Sequence, residues 1–262
     1  MSSGRTHDLS DLLRLARRRL LQMHFESHVG HIGGNLSALD MLMVLHHCVL
    51  EEDDVFILSK GHAAGALYVT LWSLGRLTDE DLRQFHAEGT KLSGHPSPRW
   101  IPEIPFATGS LGHGLSLAVG VALGKTLQQR PGRVFCLVSD GEMQEGSTWE
   151  ALVFMAHQHL ASLTVLVDVN NLQGFGTTSE VSGLQLTVNK FREFGLPAQE
   201  LDGHDVEAIQ AITAAESRGP RILLARTHKG HGVSFMEDRM EWHYLPMTAE
   251  QYRQALEEVG AS

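Results

Sequence analysis

Apolar positions along the chain fall into two kinds of pattern. Four short uninterrupted runs, at residues 55–58, 134–138, 163–167 and 222–225, carry no polar alternation, as expected of parallel strands covered on both faces. Stretches with helical spacing separate them. Residues 63–75 form one, and residues 116–127, rich in Ala and Gly, form another that can pack closely. Trp149, Leu152, Val153, Ala156 and Leu160 line a third as an i, i+3, i+4, i+7, i+11 stripe, and residues 205–217 form a fourth. Residues 9–25 place Leu12, Leu13, Leu20 and Leu21 on much of one helical face. Residues 36–50 predict a second helix capped by Asn35 or Ser37, and residues 248–259 a last amphipathic one. Strands alternating with helices predict an α/β fold, a doubly wound, mostly parallel sheet flanked by helices. With no repeat or long linker, residues 1–262 read as a single domain, the helical segment at about 8–50 packed on it.

Composition narrows the class. Hydrophobic residues make up 42% and charged residues 20%, enough to bury a core and too apolar for disorder. Against 31 Asp+Glu there are 21 Lys+Arg, a net charge of -10, which argues against a nucleic-acid partner. Arg14, Arg17, Arg18 and Arg19 on the first helix read as a solvated face. Cys48 and Cys136 are too few for a disulfide framework and both sit in apolar runs, predicting buried thiols in a reducing compartment. No apolar run reaches the roughly 18 residues that span a bilayer, so no membrane partner is expected. Residues 1–8 are polar, without a signal-peptide core. The expectation is a soluble, cytoplasmic protein. Among 16 histidines, His24, His46, His47, His86, His157 and His159 lie in helical patterns outside any motif and read as structural or solvent-facing. No His-Glu-x-x-His pair occurs, and nothing specifies a histidine zinc site.

In doubly wound sheets ligands bind beyond the carboxyl ends of the strands. Each apolar run is followed there by polar residues: Ser59-Lys60-Gly61-His62, Ser139-Asp140-Gly141-Glu142, Asp168-Val169-Asn170-Asn171 and Arg226-Thr227-His228-Lys229-Gly230-His231-Gly232. Asp140 and Asn170 each close a predicted strand, and one helix joins the two, so a right-handed crossover brings both to the same edge. A carboxylate and an amide oxygen there suit a hard cation, Mg²⁺ or Ca²⁺, with the Leu172 carbonyl as a further ligand. Gly141 lets a diphosphate oxygen approach the backbone.

The sequence resembles the N-terminal, diphosphate-binding portion of the transketolase family. The thiamine-diphosphate fingerprint of that family is Gly-Asp-Gly, a spacer, and Asn-Asn. Here it stands as Ser139-Asp140-Gly141, residues 142–169, and Asn170-Asn171. Further blocks are Gly30-His31-Ile32-Gly33-Gly34, Ser93-Gly94-His95-Pro96, Thr108-Gly109-Ser110-Leu111-Gly112-His113-Gly114 and Trp242-His243. The resemblance implies that thiamine diphosphate is the cofactor, held by His62, Gly109, Leu111, Asp140, Gly141, Glu142, Asn170 and His243. Asp140, Asn170 and Leu172 would hold the divalent ion. His31, His95 and His243 would orient the sugar and move protons, and Glu145 would join a proton network across a subunit interface. The sequence departs from the family pattern at Ser139 for glycine, His113 for glutamine, His231 for lysine, Tyr244 for glycine and Ile32 for proline.

Thiamine chemistry also needs a carboxylate beside the aminopyrimidine, which in transketolases lies on a second domain. The resemblance therefore implies a split enzyme: this chain, a pyrimidine-binding partner chain, an α2β2 heterotetramer, and a ketose or sugar-phosphate substrate whose two-carbon ketol unit is transferred. The Ala/Gly-rich helix at 116–127 and the region around Glu145 are the expected interface elements. Two alternatives stay open: transfer of the same unit to a lipoyl or acyl carrier protein, and a non-catalytic diphosphate-binding scaffold.

Overall fold

The structure is a computed structural model and describes residues 8–261; most of the polar stretch noted at residues 1–8 lies outside the described residues. The strands are β1 (Val55–Leu58), β2 (Val134–Ser139), β3 (Leu163–Val169), β4 (Leu172–Gln173), β5 (Gly176–Thr177), β6 (Ala198–Asp202) and β7 (Arg221–Arg226). The α-helices are α1 (Leu9–Ser27), α2 (Ile32–Val44), α3 (Ala64–Ser73), α4 (Asp79–Arg83), α5 (Gly114–Leu127), α6 (Gly146–His157), α7 (Thr178–Ser182), α8 (Val188–Glu193), α9 (Val206–Ala214) and α10 (Ala249–Ala261). Five strands form one parallel sheet in the order β1-β2-β3-β7-β6, and β4 and β5 form a small antiparallel hairpin.

Alternate residues of each strand enter different cores, which is why the strands read as unbroken apolar runs. Phe135 and Leu137 join Phe56, Leu166 and Leu223 under α1, α2, α3 and α9. Val134, Cys136 and Val138 join Ile57, Val165 and Leu224 under α5, α6 and α8. The steps β1 to β2, β2 to β3 and β3 to β6 run one way across the sheet, each ending in a helix on the α5–α6–α8 face. The step from β6 back to β7 reverses, and α9 lies on the other face. A right-handed crossover requires that change of side.

Several expectations change. The helix predicted at 36–50 starts four residues earlier, so neither Asn35 nor Ser37 caps it. His31 is the N-cap residue, in a left-handed conformation (φ 66°) and without a side-chain cap bond. Asn35 instead donates to the carbonyls of His31 (2.8 Å) and His62 (3.0 Å) while its oxygen accepts from Ala66 N–H (2.7 Å). All of α2 is buried between the sheet and its neighbouring helices, and the chain ends that helix in a π turn, Leu45–Val49. Cys48 on this turn is exposed, against expectation, whereas Cys136 is buried in β2. The arginines of α1 are tethers rather than a purely solvated face. Arg17 pairs with Asp40 (2.6 Å), Arg19 with Asp79 (2.5 Å), and Arg18 donates to the Leu256 carbonyl (3.0 Å). Val153 of the predicted stripe is half-exposed; Ala151, Leu152 and Met155 carry the buried face of α6. The edge strand β6 escaped the pattern because Gln199, Glu200 and Asp202 are exposed, as edge strands favour.

His24 is fully buried on α1, its Nδ1–H donating to the Leu20 carbonyl (3.0 Å) and its ring against Phe85. Burial pushes its pKa down to about 4, so the folded state holds it neutral while the unfolded chain protonates it near 6.5. Its contribution to stability is complete above pH 6.5 and is lost as pH falls through about 4. In denaturant unfolding, wild type should therefore lose about 2–3 kcal/mol relative to His24→Leu between pH 7 and pH 4.5. Parallel pH profiles for the two proteins would contradict this placement.

Candidate active site

The carboxyl ends of β1, β2, β3 and β7 border a cleft of roughly 360 Å³. The parallel register sets Ser139 of β2 beside Asp168 of β3, and Asp168 beside Ala225 of β7. Asp140 therefore follows one strand directly above the neighbour that leads to Asn170. Asp140 is buried, and its two carboxylate oxygens accept from the backbone N–H groups of Gly141 (2.7 Å) and Asn171 (2.5 Å). The Asn170 side-chain oxygen accepts from Leu172 N–H (3.1 Å). Asn171 takes a left-handed conformation (φ 60°), which Asn tolerates better than most residues and which turns the chain into the β4–β5 hairpin. Asp140, Gly141, Asn170 and Leu172 all line the cleft, with His62, Leu111, Glu145 and His243.

Beneath them lies a charged core. Asp168 is wholly buried and accepts from the Lys60 amine, from Ser37 Oγ (2.6 Å) and from Thr227 Oγ1. Burial opposes its charge, but Lys60 and these hydrogen bonds hold it below the usual carboxylate range. Burial and the nearby Asp168 charge raise Asp140 instead, to about 7. Lys229, from the loop after β7, donates to Leu172 O (3.3 Å) and to His243 Nδ1 (2.9 Å). Burial and the charge of Lys60 bring its pKa down to about 8.

His62 and His243 line the other flank, and the predicted catalytic His31 and His95 stand next to them, outside the cleft lining. The His31 ring centroid lies 5.0 Å from that of His243, 5.6 Å from that of His62 and 6.4 Å from that of His95. Burial is the first cause of every downward shift here. It acts with the neighbouring His95 charge on His31 (to about 4) and with Lys229 on His243 (to about 3). His62 lies well below the usual value, and His95 below it. All four are neutral at physiological pH. Because His243 Nδ1 accepts from the Lys229 ammonium, its proton sits on Nε2.

Residues 16–262 match the transketolase, thiamine diphosphate binding domain. The chain belongs to that family. It is 36% identical over 256 residues to a chain of the apulose-4-phosphate transketolase of Phocaeicola vulgatus, one of the subunits of that enzyme, covering 93% of this chain and 91% of the relative. It is 33% identical over 264 residues to the 6-deoxy-6-sulfo-D-fructose transketolase subunit SqwG of a Clostridium species, covering 96% of each. The transketolase of Leishmania mexicana shares the fold, with a TM-score of 0.89 at 24% identity over 97% of this chain. This chain spans 41% of that larger protein. The match is thus to the N-terminal, thiamine-diphosphate-binding subunit of a transketolase, which is a transferase.

The cleft fits the family's cofactor. The Asp140 carboxylate, the Asn170 amide oxygen and the Leu172 carbonyl are an all-oxygen donor set of the kind that hard divalent cations take. Three buried side-chain nitrogens, His31 Nδ1, Gln144 Nε2 and Gln173 Nε2, have no hydrogen-bond partner in the protein, and the two glutamines line the cleft. Such orphaned groups are costly to bury and suit a ligand rich in hydrogen-bonding atoms, as a diphosphate is.

Not every residue singled out in the sequence reaches the cleft. Glu142 is buried, accepting from Ser59 Oγ (2.5 Å) and Gly112 N–H (2.9 Å), so it braces the Gly109–Gly114 loop from behind. Burial raises its pKa. Gly109 (φ 142°) backs onto the His95 ring, where a Cβ would come within 2.6 Å. Ser139 does line the cleft, but its hydroxyl turns inward to accept from Glu142 N–H (3.2 Å). His113 is exposed at the start of α5. His231 lies outside the cleft, stacked 3.6 Å from His204, which donates to Asp40 (2.7 Å) and accepts from His228 N–H (3.0 Å). Asp40, His204 and His231 bring ligand atoms within 4.8 Å of one another, but both His204 nitrogens are already satisfied within the protein. Sequence reasoning placed Lys60, Asp168 and Lys229 at the strand ends but gave them no role, and it missed Gln144 and Gln173. A carboxylate ending an otherwise apolar run was the available signal for Asp168, and a lysine inside a glycine block for Lys60 and Lys229.

Replacing Asp168 with Asn would leave the Lys60 ammonium buried without a counter-charge. Equilibrium unfolding should show a loss of about 3–5 kcal/mol, largely recovered by adding Lys60→Met. A loss below about 1 kcal/mol would mean that the pair does not support the sheet edge.

Proposed function

We propose that this chain is a single diphosphate-binding domain and the N-terminal half of a two-chain transketolase. It moves a two-carbon ketol unit from a ketose phosphate to an acceptor, and it works only with a pyrimidine-binding partner chain, as an α2β2 heterotetramer. The carrying observation is that the oxygen donors Asp140, Asn170 and Leu172 share one cleft with His62 and His243. The names of both relatives support a donor with an anionic group, one a phosphate and the other a sulfo sugar; that both are named as subunits supports a partner chain. An open face on α5 supports it too: nothing would meet a Cβ at Gly120 or Gly124, and Leu127 is 75% exposed. No helix among the described residues is long and apolar enough to cross a membrane.

In this reading Asp140, Asn170 and the Leu172 carbonyl would hold Mg²⁺, or Ca²⁺ in its place, which would neutralise the charge of the cofactor's diphosphate. Lys229 and His62 face the same group, and Gly141 and Leu111 border it. The bound cofactor supplies the electron sink for carbon–carbon cleavage. The protein supplies proton handling. His243, fixed in its Nε2–H form by Lys229, donates to the ligand. His31 and His95, both neutral, accept a proton from a sugar hydroxyl and return it. Glu145, exposed at the start of α6, is placed for contact with the partner.

Combining the chain with its partner, thiamine diphosphate, Mg²⁺ and a ketose phosphate should give ketol transfer that a chelator abolishes. Asp140→Asn should weaken Mg²⁺-dependent cofactor binding about a hundredfold or more. His95→Ala should keep assembly and cofactor binding but lose turnover. Absence of transfer across a broad ketose panel would sink the proposal, and full activity in His95→Ala would favour a scaffold.

A further inference from the structure

Tyr244 directly follows His243 and occupies the wall of the same cleft. It is 52% exposed, so it is not a core residue, yet its neighbours are shaped around it. A Cβ on Gly30 would come within 2.4 Å of the Tyr244 carbonyl oxygen, and a Cβ on Gly174 within 2.1 Å of its phenolic oxygen. The first contact seats the Tyr244 backbone against the segment that carries His31, and His31 N–H donates to the His243 carbonyl (3.1 Å). The second sets the phenol tip on the loop between β4 and β5. The ring itself stands edge-on to His243, with centroids 4.7 Å apart. The Tyr244 ring thus bridges His243 and the hairpin while its backbone rests against the segment that carries His31, beside Phe175, which is 86% exposed at the hairpin tip.

We propose that Tyr244 is a specificity-determining residue: its ring sets the width of the cleft beside His243 and excludes the longer ketose phosphates. The inference rests on the transketolase reading above. A ring seated with its backbone against Gly30 and its phenol tip against Gly174 discriminates by shape, and the loss falls on binding of the bulkier sugar rather than on chemistry. A size mismatch in such a pocket is worth about ten- to a hundredfold in kcat/KM.

The test compares a five-carbon with a seven-carbon ketose phosphate in the complex of this chain with its partner, loaded with cofactor and Mg²⁺. Tyr244→Gly should raise kcat/KM for the seven-carbon donor relative to the five-carbon donor by about tenfold or more, through KM. Tyr244→Phe, which keeps the ring, should leave the ratio within about twofold. Tyr244→Ala, made alongside, serves where the glycine variant fails to assemble, and thermal melting with cofactor titration shows that the cleft is intact. An unchanged ratio in Tyr244→Gly and Tyr244→Ala, in an enzyme whose wild type turns over, would overturn the inference alone. So would a Tyr244→Phe effect as large as truncation, since the hydroxyl and not the ring would then be selecting. No turnover by the wild-type complex with either sugar or with any wider panel would overturn the functional reading and this inference with it.

Discussion

The ion pair between Lys60 and Asp168 is the constraint on which the rest of this structure depends. Both side chains are essentially inaccessible, and removing charges from water is costly unless each finds a partner and its remaining hydrogen bonds are filled. Here Lys60 also donates to the Gly34 carbonyl (3.0 Å), and Ser37 and Thr227 donate to Asp168. Those partners come from α2, the end of β1, the end of β3 and the loop after β7. A single cluster therefore sets the relative position of the four segments that carry His31, His62, Asn170 and Lys229.

The electrostatic consequences follow from that arrangement. Burial, together with the neighbouring Asp168 charge, pushes Asp140 toward neutrality, to about 7. A divalent ion beside Asp140 would reverse this balance and favour the carboxylate, so ion binding and deprotonation are linked. On the opposite flank burial, with a smaller contribution from the charge of Lys229, holds His243 at about 3. The cleft thus presents cationic lysines and neutral imidazoles to whatever enters. Such surroundings suit an anionic cofactor at one end and a polyhydroxy compound at the other.

The same cleft is open on the side away from the sheet. Leu111 and Glu145 border it from the α5–α6 side, and Phe175 and Tyr244 from the hairpin side. The polar end rests on the packed sheet edge, where backbone N–H groups and buried charges fix geometry. The mouth rests on short turns and on the exposed aromatics Phe175 and Tyr244. Precision and openness are thus separated by depth.

Much of this was legible along the chain. Four of the five strands of the sheet, the helices between them and the placement of Asp140 and Asn170 on one edge follow from local pattern and from the handedness of crossovers. These depend on neighbours in sequence and on backbone chirality. The polar edge strand β6 has no such local signature, and the start of α2 at a left-handed His31 could not be read from Asn35 and Ser37, which have capping side chains but use them elsewhere. The partnership of Lys60 with Asp168 joins residues 108 apart, and Glu142 faces inward only because Ser59 and Gly112 arrive behind it. A sequence states which bonds each side chain can make; which partners fill them, and so which groups turn toward the cleft and at what pKa, is decided when distant segments exclude water from one another.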